Sequence, residues 1–258
     1  MLKFTIITCT YNAAHELQRT LDSVLRQQYG AVEHLILDGQ SADDTVALAQ
    51  AYKLQSDADD NDHEVVIVSE PDHGLYDAMN KGIGRATGNY IVFLNAGDRL
   101  HSETTLEDIA ACVGEGEPLP GVLYGDTDIV DDNGRFLRHR RLQPPAHLTW
   151  KSFRSGMLVC HQAFYARTDL ARQHPYDLNF RFSADFDWCI RIMKAAKQQS
   201  LGLRNVHMVV ADYLEGGMTT RNHRASLKER FHIMRCHYGL PVTIAMHLWF
   251  AIRTVVKK

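Results

Sequence analysis

The chain has 258 residues, of which 45% are apolar, so it is long enough to bury a large core as one α/β domain or as one domain with an appendage. Its 28 basic and 31 acidic residues give a net charge of −3, which excludes a nucleic-acid binder that depends on bulk positive charge. The five cysteines contain no C-x-x-C pair, which argues against a disulfide scaffold or a structural zinc site and favours a reduced, cytoplasmic compartment.

Four short apolar segments at the start of the chain predict β-strands, because they are rich in β-branched residues and bounded by turn residues. They are Phe4–Cys9, Val32–Leu37, Val65–Val68 and Tyr90–Leu94. Helical patterns lie between them, and strand–helix alternation at this spacing is typical of βαβ units. We therefore predict an α/β fold with a Rossmann-like, mainly parallel sheet flanked by helices.

The helices between these strands are predicted from their start signals and their spacing. Asn12 would cap a helix over Ala13–Gln28. A capping box at Ser41–Asp44 would open a second helix that runs to about Tyr52, and the acidic stretch Ser56–Glu64 is interpreted as a loop. The third helix is marked by apolar residues four positions apart, which are Leu75, Met79 and Ile83.

The pattern changes after residue 120, where strands follow one another without helices. The segments Gly121–Gly125, Thr127–Val130 and Phe136–Arg140, with a turn at Asp131–Gly134, predict a smaller antiparallel hairpin. A further strand is expected over residues 204–214.

The division of the chain follows from this change of pattern. We expect residues 1–115 to be a nucleotide-binding half and residues 116–220 an acceptor half of one domain, 1–220. The second half would contain a helix over Ser183–Ala196, capped by Ser183. A helical tail, 221–258, would follow.

The tail segment Pro241–Lys258 is mostly apolar with a basic end, but it is shorter than the ~20 apolar residues that a membrane-spanning helix needs. Nor does the strand-like N-terminus contain the apolar region of a signal peptide. The tail is expected either to pack on the core or a dimer face, or to lie on anionic lipid as an interfacial helix.

Polar residues follow each of the four N-terminal strands where the strand ends. They are Thr10–Asn12, Asp38–Gly39, Glu70–Asp72 and Asn95–Asp98. In parallel α/β sheets, ligands bind beyond the carboxyl ends of the strands. Four strand ends therefore indicate one binding site at this edge of the sheet.

A series of motifs carries a family resemblance over roughly residues 3–220. In order they are FTIITCTYN, LILDGQSADDT, SEPDHGLYDAMNKGI, GNYIVFLNAGD, CHQAFYAR and SADFDW. The series resembles the family 2 glycosyltransferases with a GT-A fold, above all bacterial enzymes of exopolysaccharide loci such as colanic acid. The resemblance implies a nucleotide-diphospho-sugar donor, a divalent metal (Mn²⁺ or Mg²⁺) and an inverting single displacement onto an acceptor hydroxyl.

The resemblance also implies an acceptor and a location. The acceptor would be a glycan, in particular a polyprenyl-linked one used in surface polysaccharide assembly. The enzyme would be cytoplasmic and peripheral at the inner membrane, which an interfacial tail would serve.

Roles in donor binding are implied position by position. Thr10 and Tyr11 would hold the base, with Asn12 beside them, and Asp38 would accept from the base or the ribose. Asp98 would hold the metal together with Asn95. By local pattern alone, Asp38 and Asp98 could equally be turn residues, and Tyr11 a loop aromatic that packs on a helix.

The metal motif departs from the family pattern. Family members often have Asp-x-Asp-Asp where this chain has Asn95-Ala-Gly-Asp98, so one carboxylate is left. Mg²⁺ commonly keeps waters and substrate phosphates with only one or two carboxylates, so one aspartate together with the donor diphosphate is a feasible ligand set. We expect weaker metal affinity than a full acidic motif would give.

The general base implied by the resemblance is Asp185, in the first turn of the helix that follows Ser183. Asp187 competes for this role. An acidic residue near a helix N-terminus also stabilises the helix without any catalytic part. A base must face the acceptor from a rigid element, which the SADFDW match assigns to Asp185.

Further polar residues are assigned to the rim of the donor site. Asp77 would lie near sugar hydroxyls and Lys81 near the diphosphate, with Asp72 on the same rim. The alternative is that Asp77 and Lys81 form an ordinary surface ion pair between helix positions i and i+4.

Two more segments carry candidate contacts. His161 and Gln162 would contact the acceptor or the donor sugar, although a buried, hydrogen-bonded histidine is an equal alternative. The stretch Met218–His223 could be a lid in which Arg221 contacts phosphate or His223 binds metal, or simply a solvated loop.

Two rival functions remain at this stage. A nucleotidyltransferase would need a glycine-rich, basic phosphate loop near the first strand, and Cys9–His15 offers none. A catalytically silent nucleotide-sugar-binding or assembly protein is compatible with the reduced motif at Asn95–Asp98. Binding of a nucleotide-sugar without transfer would distinguish this protein from an enzyme.

Overall fold

Nine strands of the described part of the chain form one mixed sheet. The computed structural model describes residues 1–59, 61–114, 118–216 and 222–256. The strands are β1 (Phe4–Thr10), β2 (Val32–Asp38), β3 (Glu64–Ser69), β4 (Tyr90–Phe93), β5 (Arg99–Leu100), β6 (Val122–Val130), β7 (Phe136–His139), β8 (Phe164–Arg167) and β9 (Leu203–Leu214). Their order across the sheet is β3-β2-β1-β4-β8-β6-β9-β5, and β7 pairs with β6.

The first four strands are confirmed as a parallel unit. Strand β1 pairs in parallel with β2 on one side and β4 on the other, and β3 extends the sheet beyond β2. Every residue of β1, β2 and β4 is buried. Burial on both faces explains why these strands are continuous, mostly apolar runs rather than alternating patterns.

The second half joins the same sheet through antiparallel pairs. Strand β8 runs antiparallel between β4 and β6, while β6 is parallel to β9. The predicted hairpin is confirmed as β6 and β7. The two segments expected before its turn are one strand, and its register with β9 shifts after Tyr124. A Cβ at Gly125 would lie 2.6 Å from the Met208 carbonyl oxygen, so the close approach of the chains requires glycine there.

Helices cover both faces of the sheet. They are α1 (Ala14–Leu25), α2 (Thr45–Ala58), α3 (Leu75–Arg85), α4 (Thr105–Val113), α5 (Thr168–Gln173), α6 (Ala184–Gln198), α7 (His223–Tyr238) and α8 (Leu240–Val256), with 3-10 helices at Trp150–Ser155 and His161–Ala163. Helices α1 and α2 pack on the face that carries Ile36, whereas α3 packs on the face that carries Ile7 and Leu37. The main core lies on the latter side and continues through α5 and α6.

The predicted start of α1 is wrong by one residue, and the predicted cap, Asn12, does not cap the helix. The helix begins at Ala14, and the residue before it, Ala13, makes no side-chain capping bond. Asn12 instead adopts a positive φ of 48°. Its side-chain oxygen accepts a hydrogen bond from the Ala42 backbone at 2.8 Å, and its own backbone N–H donates to the Ser41 hydroxyl at 2.8 Å. A contact between two loops therefore replaced the expected local cap.

The capping box predicted before α2 is not formed. The Ser41 hydroxyl donates to Asp38 and accepts from the Asn12 N–H rather than from an N–H group of the helix. The helix begins at Thr45, whose backbone N–H donates to Asp43 at 3.1 Å, and it extends past the predicted end to Ala58. The loop expected over Ser56–Glu64 is therefore shorter, because α2 ends at Ala58 and β3 begins at Glu64.

Helix α6 is confirmed, but Ser183 does not cap it through its side chain. The Ser183 hydroxyl lies 2.9 Å from the Ser226 hydroxyl of α7. The Glu229 carboxylate of α7 accepts hydrogen bonds from the backbone N–H groups of Arg181 and Phe182 at 2.9 and 2.8 Å. The C-terminal helix pair thus holds the chain that leads into α6.

The tail is helical, as predicted, and is divided into α7 and α8 at Gly239. Within residues 1–59, 61–114, 118–216 and 222–256, no helix combines the length and apolar character that crossing a membrane requires. One side of α8 packs on the core through Met246 and Phe250. Large apolar side chains remain exposed on it at four-residue spacing, with Trp249 beside them: Leu240, Ile244, Leu248 and Ile252.

Candidate functional site

Asp38, at the end of β2, organises the ends of the neighbouring strands. It accepts hydrogen bonds from the Thr10 hydroxyl at 3.2 Å and the Ser69 hydroxyl at 2.7 Å. Ser41 adds its backbone N–H at 3.0 Å and its hydroxyl. Burial alone would raise the pKa of Asp38, but these hydrogen bonds hold it below its ordinary value. Four donors occupy the acceptor positions of one carboxylate, so a nucleoside could bind Asp38 only by displacing one of them.

Tyr11 and Asp72 flank the chain just after Asp38. The Tyr11 side chain is 68% exposed, so its ring is accessible to a ligand. A Cβ at Gly39 would lie 2.5 Å from Asp72 Oδ2 and 3.4 Å from the Tyr11 ring. Glycine at this position therefore lets both groups approach the backbone where β2 ends.

Lys81 lines a small cleft together with Asp38 and Asp72. The Lys81 ammonium donates to the Pro71 carbonyl oxygen at 2.6 Å and lies 3.7 Å from the Asp77 carboxylate. Asp77 also accepts a hydrogen bond from the His73 backbone at 3.0 Å. Lys81 thus lies near both Asp72 and Asp77, as the predicted rim requires. Lys81 and Asp77 also form the i, i+4 ion pair of the alternative interpretation.

A tight turn follows β4 and is held by α1. The Asp98 backbone N–H donates to the Asn95 carbonyl oxygen at 3.0 Å, and Gly97 within the turn has a φ of +96°. The Thr20 hydroxyl of α1 accepts from the Gly97 N–H at 2.9 Å and donates to the Asp98 carbonyl oxygen at 2.6 Å. These bonds fix the direction in which the two polar side chains of the turn project.

The Asp98 side chain is only 3% exposed. Gln162 Nε2 donates to its Oδ2 at 2.6 Å, and the Leu214 backbone N–H donates to its Oδ1 at 2.9 Å. Burial raises the pKa of Asp98 to about 6, although both hydrogen bonds and the charges of His161 and Arg19 lower it in part. The ionised carboxylate is therefore a group that a nearby cation would stabilise.

His161 connects the Asn95 side chain with Asp185. Its Nε2 lies 3.1 Å from Asn95 Nδ2, and its Nδ1 lies 3.5 Å from Asp185 Oδ2. The Tyr76 hydroxyl donates to the other oxygen of Asp185 at 3.4 Å. Burial alone would raise the pKa of Asp185, but the His161 hydrogen bond and the charges of His161 and Arg230 hold it below its ordinary value. The carboxylate is thus ionised at neutral pH.

Asp187 occupies a different environment from Asp185, although both lie in the first turn of α6. Its two oxygens pair with Arg191 Nε at 2.6 Å and with His237 Nε2 at 2.7 Å. These partners belong to α6 and α7, so Asp187 ties the C-terminal helix pair to α6. Of the two aspartates, Asp185 is the one in contact with the turn residues after β4 through His161.

The turn after β4 offers oxygen atoms suited to a hard cation. Asn95 Oδ1 is buried and has no hydrogen-bond partner among the described residues. From the described residues, each carboxylate oxygen of Asp98 accepts a single hydrogen bond, which leaves lone pairs available. Mg²⁺ and Mn²⁺ bind such oxygens. The residues present therefore fit the divalent metal that the sequence resemblance implies.

Several of these contacts were not foreseen from the sequence. Gln162 was assigned to the acceptor, yet it holds Asp98. Ser41 was assigned only to a helix cap, and Tyr76 and Ser69 were assigned nothing. Ser69 directly follows the predicted strand Val65–Val68, which was a usable signal. Arg221 and its predicted lid role lie outside the described residues, as does the side chain of His223.

Sequence comparison identifies the family. Residues 5–172 match the model of the family described as "Glycosyl transferase family 2". A PGL/p-HBAD biosynthesis glycosyltransferase of Mycobacterium bovis is 36% identical over 219 residues, covering 83% of this chain and 77% of the relative. The amylovoran biosynthesis glycosyltransferase AmsB of Erwinia amylovora is 26% identical over 222 residues, covering 81% of this chain and 70% of the relative.

Comparison with solved structures supports the fold. The S. aureus TarS 1-349 structure in complex with UDP-GlcNAc superposes with a TM-score of 0.70 at 18% identity, covering 91% of this chain and 65% of that one. The mannosyltransferase PcManGT from Pyrobaculum calidifontis, in complex with GDP-Man and Mn²⁺, gives a TM-score of 0.58 at 16% identity, covering 97% of this chain and 75% of that one. The expected GT-A type of α/β fold is confirmed.

Proposed function

Because this chain belongs to glycosyl transferase family 2 and is a glycosyltransferase, we propose that it transfers a sugar by a metal-dependent, inverting single displacement. The donor would be a nucleotide-diphospho-sugar, as in the complexes of the structural neighbours. The observation that carries the proposal is the connection from the turn after β4, through His161, to the Asp185 carboxylate.

Asp185 is suited to remove the proton of an acceptor hydroxyl. It lies on a helix rather than on a loop, and Tyr76 and His161 fix its orientation. The acceptor oxygen would attack the anomeric carbon while its proton passes to an Asp185 oxygen, and the bond from that carbon to the diphosphate would break. One displacement of this kind inverts the anomeric configuration. A positioned base typically contributes 10²–10⁴-fold to the rate.

Asp98 and Asn95 would hold the divalent metal, Mn²⁺ or Mg²⁺, at the donor diphosphate. When bound there, the metal supplies Lewis-acid stabilisation of the charge that grows on the leaving group. Gln162 and the Leu214 N–H keep the Asp98 carboxylate in place for this contact. Lys81 lies on the rim where its ammonium could reach the same phosphates.

The nucleoside would bind at the ends of β1 to β3. The exposed ring of Tyr11 offers a stacking surface for the base. Thr10 would hold the base with Tyr11, and Asn12 lies beside them. Asp38 would accept a hydrogen bond from the base or the ribose in place of one of its present donors. Asp72 and Asp77 line the rim on the sugar side.

The acceptor would be a lipid-linked glycan of surface polysaccharide assembly, and the protein would act at the cytoplasmic side of the inner membrane. The support is the row of exposed apolar side chains on α8, with Arg253 near its end. An amphipathic helix of this kind binds membrane interfaces, particularly anionic ones.

A donor screen tests the proposal. Thermal unfolding of the chain and of Asp98→Ala would be followed with UDP-, GDP- and TDP-sugars, each with and without Mn²⁺. A ligand that binds the folded state raises the unfolding temperature by mass action. We expect a metal-dependent rise for one nucleotide that is lost in Asp98→Ala. No rise with any donor, in folded protein, would contradict the proposed donor site.

A catalytically silent binding protein is the second candidate, because the turn after β4 carries one carboxylate only. It predicts the same donor-dependent rise in unfolding temperature. It differs in predicting no sugar transfer to lipid-linked acceptors under conditions in which the donor is bound.

A further inference from the structure

Two buried aspartates lie side by side on adjacent strands away from the site described above. Asp128 of β6 and Asp212 of β9 are direct register partners, and they are 5% and 2% exposed. Their side chains project from the same face, as register partners do. The next residue of β9, Tyr213, interacts with Asp98 and Asp185. Since neighbouring strand residues point to opposite faces, the aspartate pair projects from the face of β9 opposite to Tyr213.

Histidines cover this pair from the solvent side. His101 Nδ1 lies 2.7 Å from Asp212 Oδ1, and His139 Nδ1 lies 2.7 Å from Asp128 Oδ1. One ligand atom from each of His101, Asp128 and Asp212 can be chosen so that all three lie within 4.8 Å of one another. Both imidazoles are partly exposed, so an ion from solvent has access to the cluster.

The cluster carries an excess of negative charge. Asp126 adds a third carboxylate, which interacts with Asp128. Protonated His139 and His207 would oppose the charge of Asp126. Arg99 pairs with Asp212 at 2.6 Å. Arg19 also interacts with Asp212, as well as with Asp98 and Asp131.

The charge balance therefore favours a cation. Three aspartates lie here with one directly paired arginine, and two imidazoles, His101 and His139, contact the carboxylates. Buried charges of one sign are costly unless paired. A bound cation would add to the compensation that Arg99 and the imidazoles supply.

The carboxylates are also held in a way that suits metal ligands. Arg99 Nε binds Asp212 Oδ2, which leaves Oδ1 directed at His101. His139 binds Asp128 Oδ1, which leaves Oδ2 for a ligand. Outer partners that orient ligating carboxylates are the usual second layer of protein metal sites.

We propose that His101, Asp128 and Asp212 form a divalent-cation site, selective for zinc-like ions, that is separate from the donor site. Mixed imidazole and carboxylate ligands suit Zn²⁺ better than Mg²⁺, which prefers oxygen alone. Three protein ligands and a water complete a tetrahedral zinc. The ion would replace the proton shared by His101 and Asp212 and would join β5, β6 and β9 at one point.

Zinc binding by the full chain tests this site. Protein stripped with a chelator would be loaded with Zn²⁺ and freed of excess by gel filtration, then analysed for zinc by atomic emission. Affinity would be measured by competition with a chromophoric chelator. Asp98→Asn serves as the background that removes the donor-site carboxylate. In that background we expect one zinc per chain, and at least a tenfold weaker affinity after His101→Gln or Asp128→Asn.

Matched controls keep the result specific. His147 and Asp132 are exposed and lie outside the cluster, so His147→Gln and Asp132→Asn should retain the zinc. His101 is 41% exposed, and its replacement should leave the fold intact by circular dichroism. Absence of zinc in the Asp98→Asn background, or equal affinity in His101→Gln and the controls, would overturn the proposal.

Discussion

Gln162 donates a 2.6 Å hydrogen bond to Asp98 across 64 positions of the chain. Gln162 is fully buried and precedes β8, while Asp98 ends the turn after β4. The Leu214 N–H at the end of β9 binds the other oxygen of the same carboxylate. The second half of the sheet thus supplies both hydrogen-bond donors to Asp98. Asp98 itself lies just beyond the last strand of the parallel first half.

Gln162→Ala should therefore weaken the metal-dependent step. The change leaves one Asp98 oxygen without its donor and adds a cavity, which typically costs about 1–3 kcal/mol of unfolding free energy. We expect at least a tenfold lower apparent Mn²⁺ affinity in the presence of donor, measured by titration of activity. Gln50→Ala, on the exposed side of α2, is the control and should change neither quantity. Wild-type Mn²⁺ affinity in Gln162→Ala would contradict this role.

The raised pKa of Asp98 predicts a pH dependence of stability. The unfolded value is 3.8 and the folded value about 6, so between these values the folded state binds more protons. Without metal, the unfolding free energy should fall as pH rises through this range, by roughly 3 kcal/mol in total. Urea unfolding of the chain and of Asp98→Asn from pH 4 to 7 measures most of this fall. The unfolding free energy of Asp98→Asn minus that of the wild-type chain should grow as pH rises. If this difference does not change with pH, the prediction is wrong.

Tyr11→Ala should weaken donor binding without weakening the fold. The ring is 68% exposed, so its removal sacrifices little packing. Loss of a stacking contact worth about 1 kcal/mol predicts a five- to tenfold higher Kd for the nucleotide by calorimetry. Phe136→Ala removes another exposed ring, on β7, and should leave the Kd unchanged. Equal affinities of the two variants would argue against base stacking on Tyr11.

Charge on the exposed side of α8 should prevent membrane association. Leu248 and Ile252 are 61% and 55% exposed, so Leu248→Glu and Ile252→Glu can be tolerated in the folded protein. Wild-type protein should float with vesicles that contain phosphatidylglycerol, and the double variant should not. Leu54→Glu, on the 72% exposed Leu54 of α2, is the matched control. Flotation of the double variant at the wild-type level would exclude this contact.

The parallel half of the fold could be predicted because its signal is local. Buried strands such as Tyr90–Phe93 show as apolar runs, and the polar residues after them mark the site edge by topology alone. The helix caps were mispredicted for the opposite reason. Ser41 and Ser183 have the pattern of local caps, but their hydroxyls bond to distant partners, the Asn12 backbone N–H and the Ser226 hydroxyl.

The detailed site was less predictable because its contacts join distant segments. The pattern around Asp185 and Asp187 does not reveal which aspartate faces the site, since the difference lies in His237 on α7 and His161 before β8. The Asp98–Gln162 bond likewise depends on β8 entering the sheet beside β4.

The transfer activity of Asp185→Asn tests the central claim most directly. Single-turnover transfer of labelled sugar, with the donor identified by thermal shift, would be compared for the chain, Asp185→Asn and Asp187→Asn. We predict a 10²–10⁴-fold slower transfer in Asp185→Asn with unchanged donor affinity. Asp187→Asn should instead lower stability, because it weakens the bonds to Arg191 and His237, and should keep most of its activity while folded. Transfer at the wild-type rate by Asp185→Asn would contradict the assignment of the base.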